Sequence, residues 1–134
     1  MIELKNTKEL NREQVIELYS KNEWSSAKKP ELLLKALKNS HSVITAWENN
    51  QLIGLGSALS DGHLVVYYPH LLVHPDFQGK GIGRLIINEF SKIYGGFHQQ
   101  ILVSENTAVD FYKKCGFTFA NDTSSMWIYQ GNDH

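Results

Sequence analysis

The sequence predicts one α/β domain of the α+β kind, with a central mixed, mostly antiparallel sheet of about six to seven strands and about four helices. Three observations predict it. The chain has 134 residues, the size of one ordinary domain, and its 42% hydrophobic and 20% charged residues suit a packed core. Apolar residues recur at helical spacing in four segments. Around those segments lie short strand-like runs punctuated by Asn-Asn, Asp-Gly and Gly-Gly pairs. No repeat, low-complexity segment or linker divides the chain, so residues 1–134 read as a single domain.

Residues 2–4 form a first short strand. Val15, Leu18 and Tyr19 then fall at i, i+3 and i+4, which predicts a helix over 11–22 with Asn11 as its N-cap. A second helix begins at Pro30, a residue suited to a first turn, carries Leu33, Leu34, Ala36 and Leu37, and ends near Asn39. Residues 42–47 and 52–59 flank Asn49-Asn50, a pair that tolerates positive φ, so these two strands read as a hairpin. Asp61-Gly62 marks the next turn. The fourth strand covers 64–73 and contains Pro69, which cannot donate a ladder hydrogen bond and belongs at a bulge or an edge.

Ile82, Ile86, Phe90 and Ile93 form the stripe of a third helix, stopped by Gly95-Gly96. Residues 100–103 make a fifth strand. Ala108, Phe111, Tyr112 and Cys115 describe a fourth helix, which Gly116 terminates. Residues 117–120 and 126–129 read as two closing strands. The hairpin strands are antiparallel, whereas the fourth and fifth, joined through a helix, run parallel.

Composition excludes several function classes. Thirteen Lys and Arg against fourteen Asp and Glu give a net charge of -1, so no global positive field gathers nucleic acid or anionic membrane. Cys115 is the single cysteine and makes no internal disulfide, which suits a cytoplasmic location. The first eleven residues lack the apolar core of a signal peptide, and no apolar run approaches the roughly 20 residues of a membrane span. His70 and His74 are four apart on strand and loop rather than helix, so no metal site is expected; His41, His63 and His98 sit at element boundaries.

The segment richest in chemistry is Val73-His74-Pro75-Asp76-Phe77-Gln78-Gly79-Lys80-Gly81-Ile82-Gly83-Arg84, between the fourth strand and the third helix. Gly79, Gly81 and Gly83 remove Cβ atoms where a turn enters a helix, so backbone N–H groups are open to an anion; Lys80 and Arg84 add positive charge. A Walker A loop is excluded, because His74 and Gly81 stand where it needs glycine and Ser or Thr. The dinucleotide fingerprint is excluded because Arg84 stands at its third glycine. The blander reading is a tight strand-to-helix turn.

These residues resemble the GNAT superfamily of acetyl-CoA-dependent N-acetyltransferases. Gln78, Gly81 and Gly83 fit its hallmark of Gln or Arg, two residues, Gly, one residue, then Gly or Ala. Val73-x-Pro75 and the segment from Asn106 through Ala108, Phe111-Tyr112 and Gly116-Phe117 also look like its motifs, and the element order agrees over nearly the whole chain. The resemblance implies that the fourth strand is splayed from the fifth, and Pro69 gives an independent reason for the splay. It further implies that Leu71 and Val73 offer backbone to the pantetheine of acetyl-CoA, and that Gln78, Gly79, Lys80, Gly81, Ile82, Gly83 and Arg84 form the pyrophosphate loop. Asn106 matches a contact near the thiol end. Tyr112 matches the tyrosine that protonates the departing thiolate, although its place on an apolar stripe also suits a core aromatic. Relatives pair through the end strands of the sheet, so the resemblance also implies a homodimer.

A general base is less legible. The attacking amine must lose a proton, and the family position that carries a base corresponds to Tyr67, a poor base at neutral pH. His70 titrates in the right range and is the base candidate if the Pro69 bulge turns it inward; the alternative is a solvated histidine. Glu105 and Asp61 are weaker candidates. Trp24, Tyr67, Tyr68 and Trp127 are candidates for an acceptor pocket, or else ordinary packing. Cys115 reads as a small buried hydrophobe. The expected function is acetyl transfer to a primary amine of a small molecule or peptide by direct attack; the competing readings are a non-catalytic acyl-CoA-binding module and a partner-binding domain.

Overall fold

The computed structural model describes residues 1–131; the end of the domain expected over 1–134 lies outside the described residues. Strands β1 (Glu3–Asn6), β2 (Ser42–Glu48), β3 (Gln51–Ser60), β4 (Val65–Val73) and β5 (Gln99–Ile101) form one sheet in the order β1-β2-β3-β4-β5. The first four are antiparallel and β5 runs parallel to β4. The helices are α1 (Arg12–Lys21), α2 (Pro30–Lys38), α3 (Ile82–Tyr94) and α4 (Val109–Lys114).

Local chemistry places most of these ends. Asn11 Oδ1 accepts the Gln14 N–H at 3.0 Å and so caps α1, and Pro30 opens α2. Asn49 and Asn50 both hold positive φ, at 50° and 66°, between the paired residues Glu48 and Gln51, as a two-residue hairpin with right-handed strand twist requires.

The two sheet faces carry separate apolar clusters. Val15, Leu18 and Tyr19 of α1 and Leu33 and Leu37 of α2 pack on Val43, Leu52, Leu55 and Leu72. On the other face Ile82, Ile86, Phe90 and Tyr94 of α3 cover Ile44, Ile53, Val66 and Tyr68. Helix α3 lies close because Gly56 has no side chain: a Cβ there would stand 2.7 Å from the Phe90 ring. That glycine's role was not anticipated from the sequence.

Pro69 sits at an irregularity, as expected. Leu59 pairs with Tyr67 and Ser57 with His70, so β4 advances three residues while β3 advances two. The extra residue reverses the side-chain alternation. Val66 and Tyr68 face α3, and so do Leu71 and Val73, whereas Leu72 faces α1 and α2. His70, which an unbroken strand would have sent toward α3, thereby turns to α1.

Two expected strands do not form, and the described sheet has five rather than six or seven. Residues 117–120 and 126–129 run without sheet pairing. Residues 126–129 have strand-like composition, but a strand exists only against a neighbour's backbone. Residues 121–125 form a turn and irregular chain, with Asp122 at positive φ, and Thr123, Ser124 and Ser125 line a hollow beside β5 without pairing to it.

Candidate active site

The sheet opens between β4 and β5. The two strands pair only from Val65 with Gln99 to Tyr67 with Ile101, so from Pro69 onward β4 has no neighbour on that side. On its other side the His74 N–H donates to the Ile53 carbonyl at 2.7 Å. Hydrogen-bonding direction alternates along an antiparallel strand, so Leu72 also bonds toward β3, while Leu71 and Val73 direct their backbone groups into the gap. The splay that the family resemblance implied is present.

The glycine loop meets the end of this gap. Gly79 and Gly81 hold φ of 79° and 81°, which favours glycine, and an added Cβ at either would touch nothing within 4 Å. Their absent side chains are therefore a matter of backbone conformation. Gly83 differs, because a Cβ there would stand 3.0 Å from the Phe111 ring, so its bareness lets α4 approach α3. Gly81 is the N-cap of α3, and the first intrahelical bond runs from Leu85 N–H to the Gly81 carbonyl at 3.1 Å. The N–H groups of Ile82, Gly83 and Arg84 thus have no intrahelical acceptor and sit at the positive end of a thirteen-residue helix.

Gap and loop join in one cleft of about 720 Å³. Leu71, Val73, Gln78, Gly79, Gly81, Ile82, Gly83, Arg84, Tyr112, Trp24 and Tyr68 line it, which brings together most of the residues singled out from the sequence. Others stand apart. The Lys80 ammonium lies over the Phe77 ring at 5.2 Å, outside the cleft lining. Asn106 opens a short 3-10 helix and faces a second hollow of about 620 Å³ instead. Tyr67 pairs with Ile101 and does not line the cleft, and exposed Trp127 lies far along the chain from it, also outside the lining.

Gln78 Nε2 donates to the Val73 carbonyl at 3.0 Å and to Asn22 Oδ1 at 3.4 Å. Its side chain therefore ties the loop to β4 and to the end of α1. Tyr68 donates to Gln100 Oε1 at 2.7 Å, and burial pushes its phenol pKa well up. Tyr112 is pushed up to about 12, first by burial and then by Cys115 and Glu105, so it stays protonated at neutral pH. The Cys115 thiol is also raised by burial.

His70 is half-buried and stands outside the cleft lining. Its Nδ1 lies 2.8 Å from the Tyr19 hydroxyl, and its ring meets the cleft-lining Trp24 edge-on at 5.2 Å. Tyr19 and His70 are 51 residues apart, and no sequence signal joins them. Glu105 is the one carboxylate on the cleft wall among the described residues. His74 is buried and caps a turn, its Nδ1 accepting the Asp76 N–H at 3.2 Å. Among the described residues no three His, Cys, Asp or Glu side chains gather as metal ligands.

Comparison with known proteins agrees with this geometry. Residues 6–126 match the acetyltransferase (GNAT) domain. An uncharacterized N-acetyltransferase of Porphyra purpurea is 31% identical over 121 residues, covering 85% of this chain and 68% of the relative. A GNAT-family acetyltransferase from Streptococcus pneumoniae superposes with a TM-score of 0.84 and 28% identity, over 98% of this chain and all of the other. A chloroplastic GCN5-related N-acetyltransferase of Arabidopsis thaliana is 36% identical over 72 residues, 52% of this chain and 30% of the relative. One relative's name assigns it to the chloroplast, so these likenesses do not by themselves place the chain in the cytoplasm. No helix among the described residues is long and apolar enough to cross a membrane.

Proposed function

The chain belongs to the acetyltransferase (GNAT) domain family, and from that premise we propose that it transfers the acetyl group of acetyl-CoA to a primary amine of a small molecule or peptide, by direct attack. One observation carries the reading: the unpaired edge of β4 opens beside the uncapped start of α3, with Tyr112 lining the same cleft. The donor set suits the coenzyme. Open N–H groups at Ile82, Gly83 and Arg84, with the Arg84 guanidinium, fit diphosphate oxygens, and the Leu71 and Val73 backbone fits the amides of a pantetheine arm.

Bound acetyl-CoA supplies an activated thioester. The amine nitrogen forms a bond to the acetyl carbon, the carbon–sulfur bond breaks, one proton leaves nitrogen and one reaches sulfur. Tyr112 faces the sulfur in this reading. Its pKa of about 12 lies well above the roughly 8.5 of a thiol, so complete proton transfer from the phenol is uphill. Its role is to donate a strong hydrogen bond to the departing thiolate, with solvent in the open cleft completing the protonation. Two groups are candidates to take the amine proton: Glu105, which lines the cleft, and His70, whose ring meets the cleft-lining Trp24. The Trp24 ring also offers a face to a cationic amine.

The net charge of -1 argues against a nucleic acid or membrane acceptor, and the lone Cys115 suits a reducing compartment such as the cytoplasm. The absence of an imidazole from the cleft lining keeps a second reading in play, a non-catalytic acyl-CoA-binding module. Thiol release from acetyl-CoA across a panel of amines separates the two. We expect release, a drop of ~100-fold in kcat for Tyr112→Phe with folding intact, and a changed acidic limb of the pH–rate profile for either Glu105→Gln or His70→Gln. Coenzyme binding by calorimetry with no thiol release from any amine would establish the second reading instead.

A further inference from the structure

Tyr19 is fully buried in the apolar cluster under α1 and α2, yet it carries a hydroxyl. Burial pushes its phenol pKa well up, so the group stays O–H at neutral pH. A buried O–H needs an acceptor, and solvent does not reach this one. Among the described residues the acceptor within reach is His70 Nδ1, at 2.8 Å.

The fold holds this pair from two sides. The extra residue of β4 at Pro69 turns His70 toward α1. Trp24 closes the group: its backbone N–H donates to the Tyr19 carbonyl at 3.1 Å, and its ring meets Tyr19 at 5.5 Å and His70 at 5.2 Å, both edge-on. Tyr19 and His70 also meet edge-on, 5.4 Å apart. Three rings that each touch the other two leave little room for the imidazole to turn over.

The hydrogens on this pair decide what His70 can do. A neutral imidazole holds one hydrogen, on Nδ1 or on Nε2. With it on Nε2, Nδ1 accepts from Tyr19 and both groups are satisfied. With it on Nδ1, two hydrogens face each other across the contact and the phenol must turn its own aside, which leaves the Tyr19 O–H without an acceptor among apolar side chains. An imidazolium has the same fault, because it too carries a hydrogen on Nδ1.

We propose that Tyr19 is a positioning residue that locks His70 as its neutral Nε2–H tautomer, so that His70 is a hydrogen-bond donor beside Trp24 and not the base. Of the two candidates for the amine proton this leaves Glu105, which lines the cleft. As the amine nitrogen bonds to the acetyl carbon, its proton passes to a Glu105 carboxylate oxygen, and solvent in the open cleft then takes that proton away. The assignment of Glu105 rests on the acetyl-transfer reading; the tautomer does not.

Nitrogen NMR of the full chain with isotope-labelled histidine reads the tautomer, with His70→Gln identifying the His70 signals. At neutral pH Nδ1 should resonate as a pyridine-type nitrogen and Nε2 as a pyrrole-type one, the Nε2–H form being in excess by about tenfold or more. Tyr19→Phe keeps the three rings, removes only the hydroxyl, and should move the Nδ1 signal to that of an unbonded ring nitrogen. A pyrrole-type Nδ1 or an imidazolium in the wild type overturns the proposal, and so does an Nδ1 signal that Tyr19→Phe leaves in place. Turnover tests the consequence separately: Glu105→Gln should lower kcat ~100-fold, and His70→Gln, which keeps an N–H donor, less than ~10-fold. The reverse order overturns the assignment of Glu105. If no amine releases thiol from acetyl-CoA, the acetyl-transfer reading fails and Glu105 loses its role, whereas the tautomer stands or falls by the NMR alone.

Discussion

The two parts of the chain use similar side chains to opposite effect. Among the described residues every buried one lies between Val15 and Tyr94, and none of residues 95–131 is buried. The later part is not poor in apolar residues: it holds Phe97, Leu102, Phe111, Tyr112, Phe117, Phe119, Trp127 and Ile128. The difference is coverage. Strands β2 and β3 carry helices on both faces and a strand on each edge, so nearly every side chain between Ser42 and Ala58 outside the turn finds apolar neighbours. Strand β5 has one neighbour over three residues, and α4 has six residues with none buried. The dense part holds itself together; the open part leaves its surfaces to solvent and to the candidate cleft.

The sharpest way to break this contrast is to remove one aromatic from each part. Phe90→Ala, within the α3 cluster, should cost about 3–5 kcal/mol by chemical denaturation. Phe119→Ala should cost less than ~0.5 kcal/mol in the same measurement. Similar losses for the two would mean that residues 95–131 are packed after all.

A smaller effect probes the boundary between the parts. Gly81 holds a left-handed backbone at the start of α3, so Gly81→Ala costs about 1–2 kcal/mol, either as strain or by turning the loop amides away. We expect coenzyme affinity to weaken about tenfold by calorimetry while the Phe90 cluster is undisturbed. Unchanged affinity would remove this loop from the phosphate site.

The smallest effect belongs to a charge on the rim of the dense part. The Asp61 carboxylate accepts the N–H groups of His63, Leu64 and Val65, which hold its pKa down to about 2 from 3.8. The folded value is the lower one, so the stabilisation is present above the unfolded pKa and is lost as pH falls from about 4 toward 2. Asp61→Asn should flatten that acid limb of stability measured against pH, and an unaltered limb would discount the turn.

How much was legible follows the range of each interaction. Asn11 as a cap, Pro30 at a first turn, the Asn49-Asn50 hairpin and the glycine loop depend on residues within a few positions of one another, so their chemistry is printed in the sequence. The candidate site was legible along β4, the loop and α4 for the same reason, with family resemblance supplying roles that residue types alone do not. The Tyr19–His70 hydrogen bond and the Gln78–Asn22 tie join residues 51 and 56 apart, and no local pattern encodes either. Glu105 drew little notice as a loop carboxylate, and gained interest only because the fold sets it on the cleft wall.

The sequence by itself determined the class of fold, the hairpin and the glycine loop, and it placed Pro69 at an irregularity, because backbone propensities and side-chain periodicity are local. Only the tertiary structure decided which way His70 turns, since one extra residue in β4 inverts everything after it relative to β3. Only it decided that residues 117–120 and 126–129 are not strands. Helical segments satisfy their own hydrogen bonds, whereas a strand is completed by a neighbour. For residues 126–129 no strand among the described residues is such a neighbour.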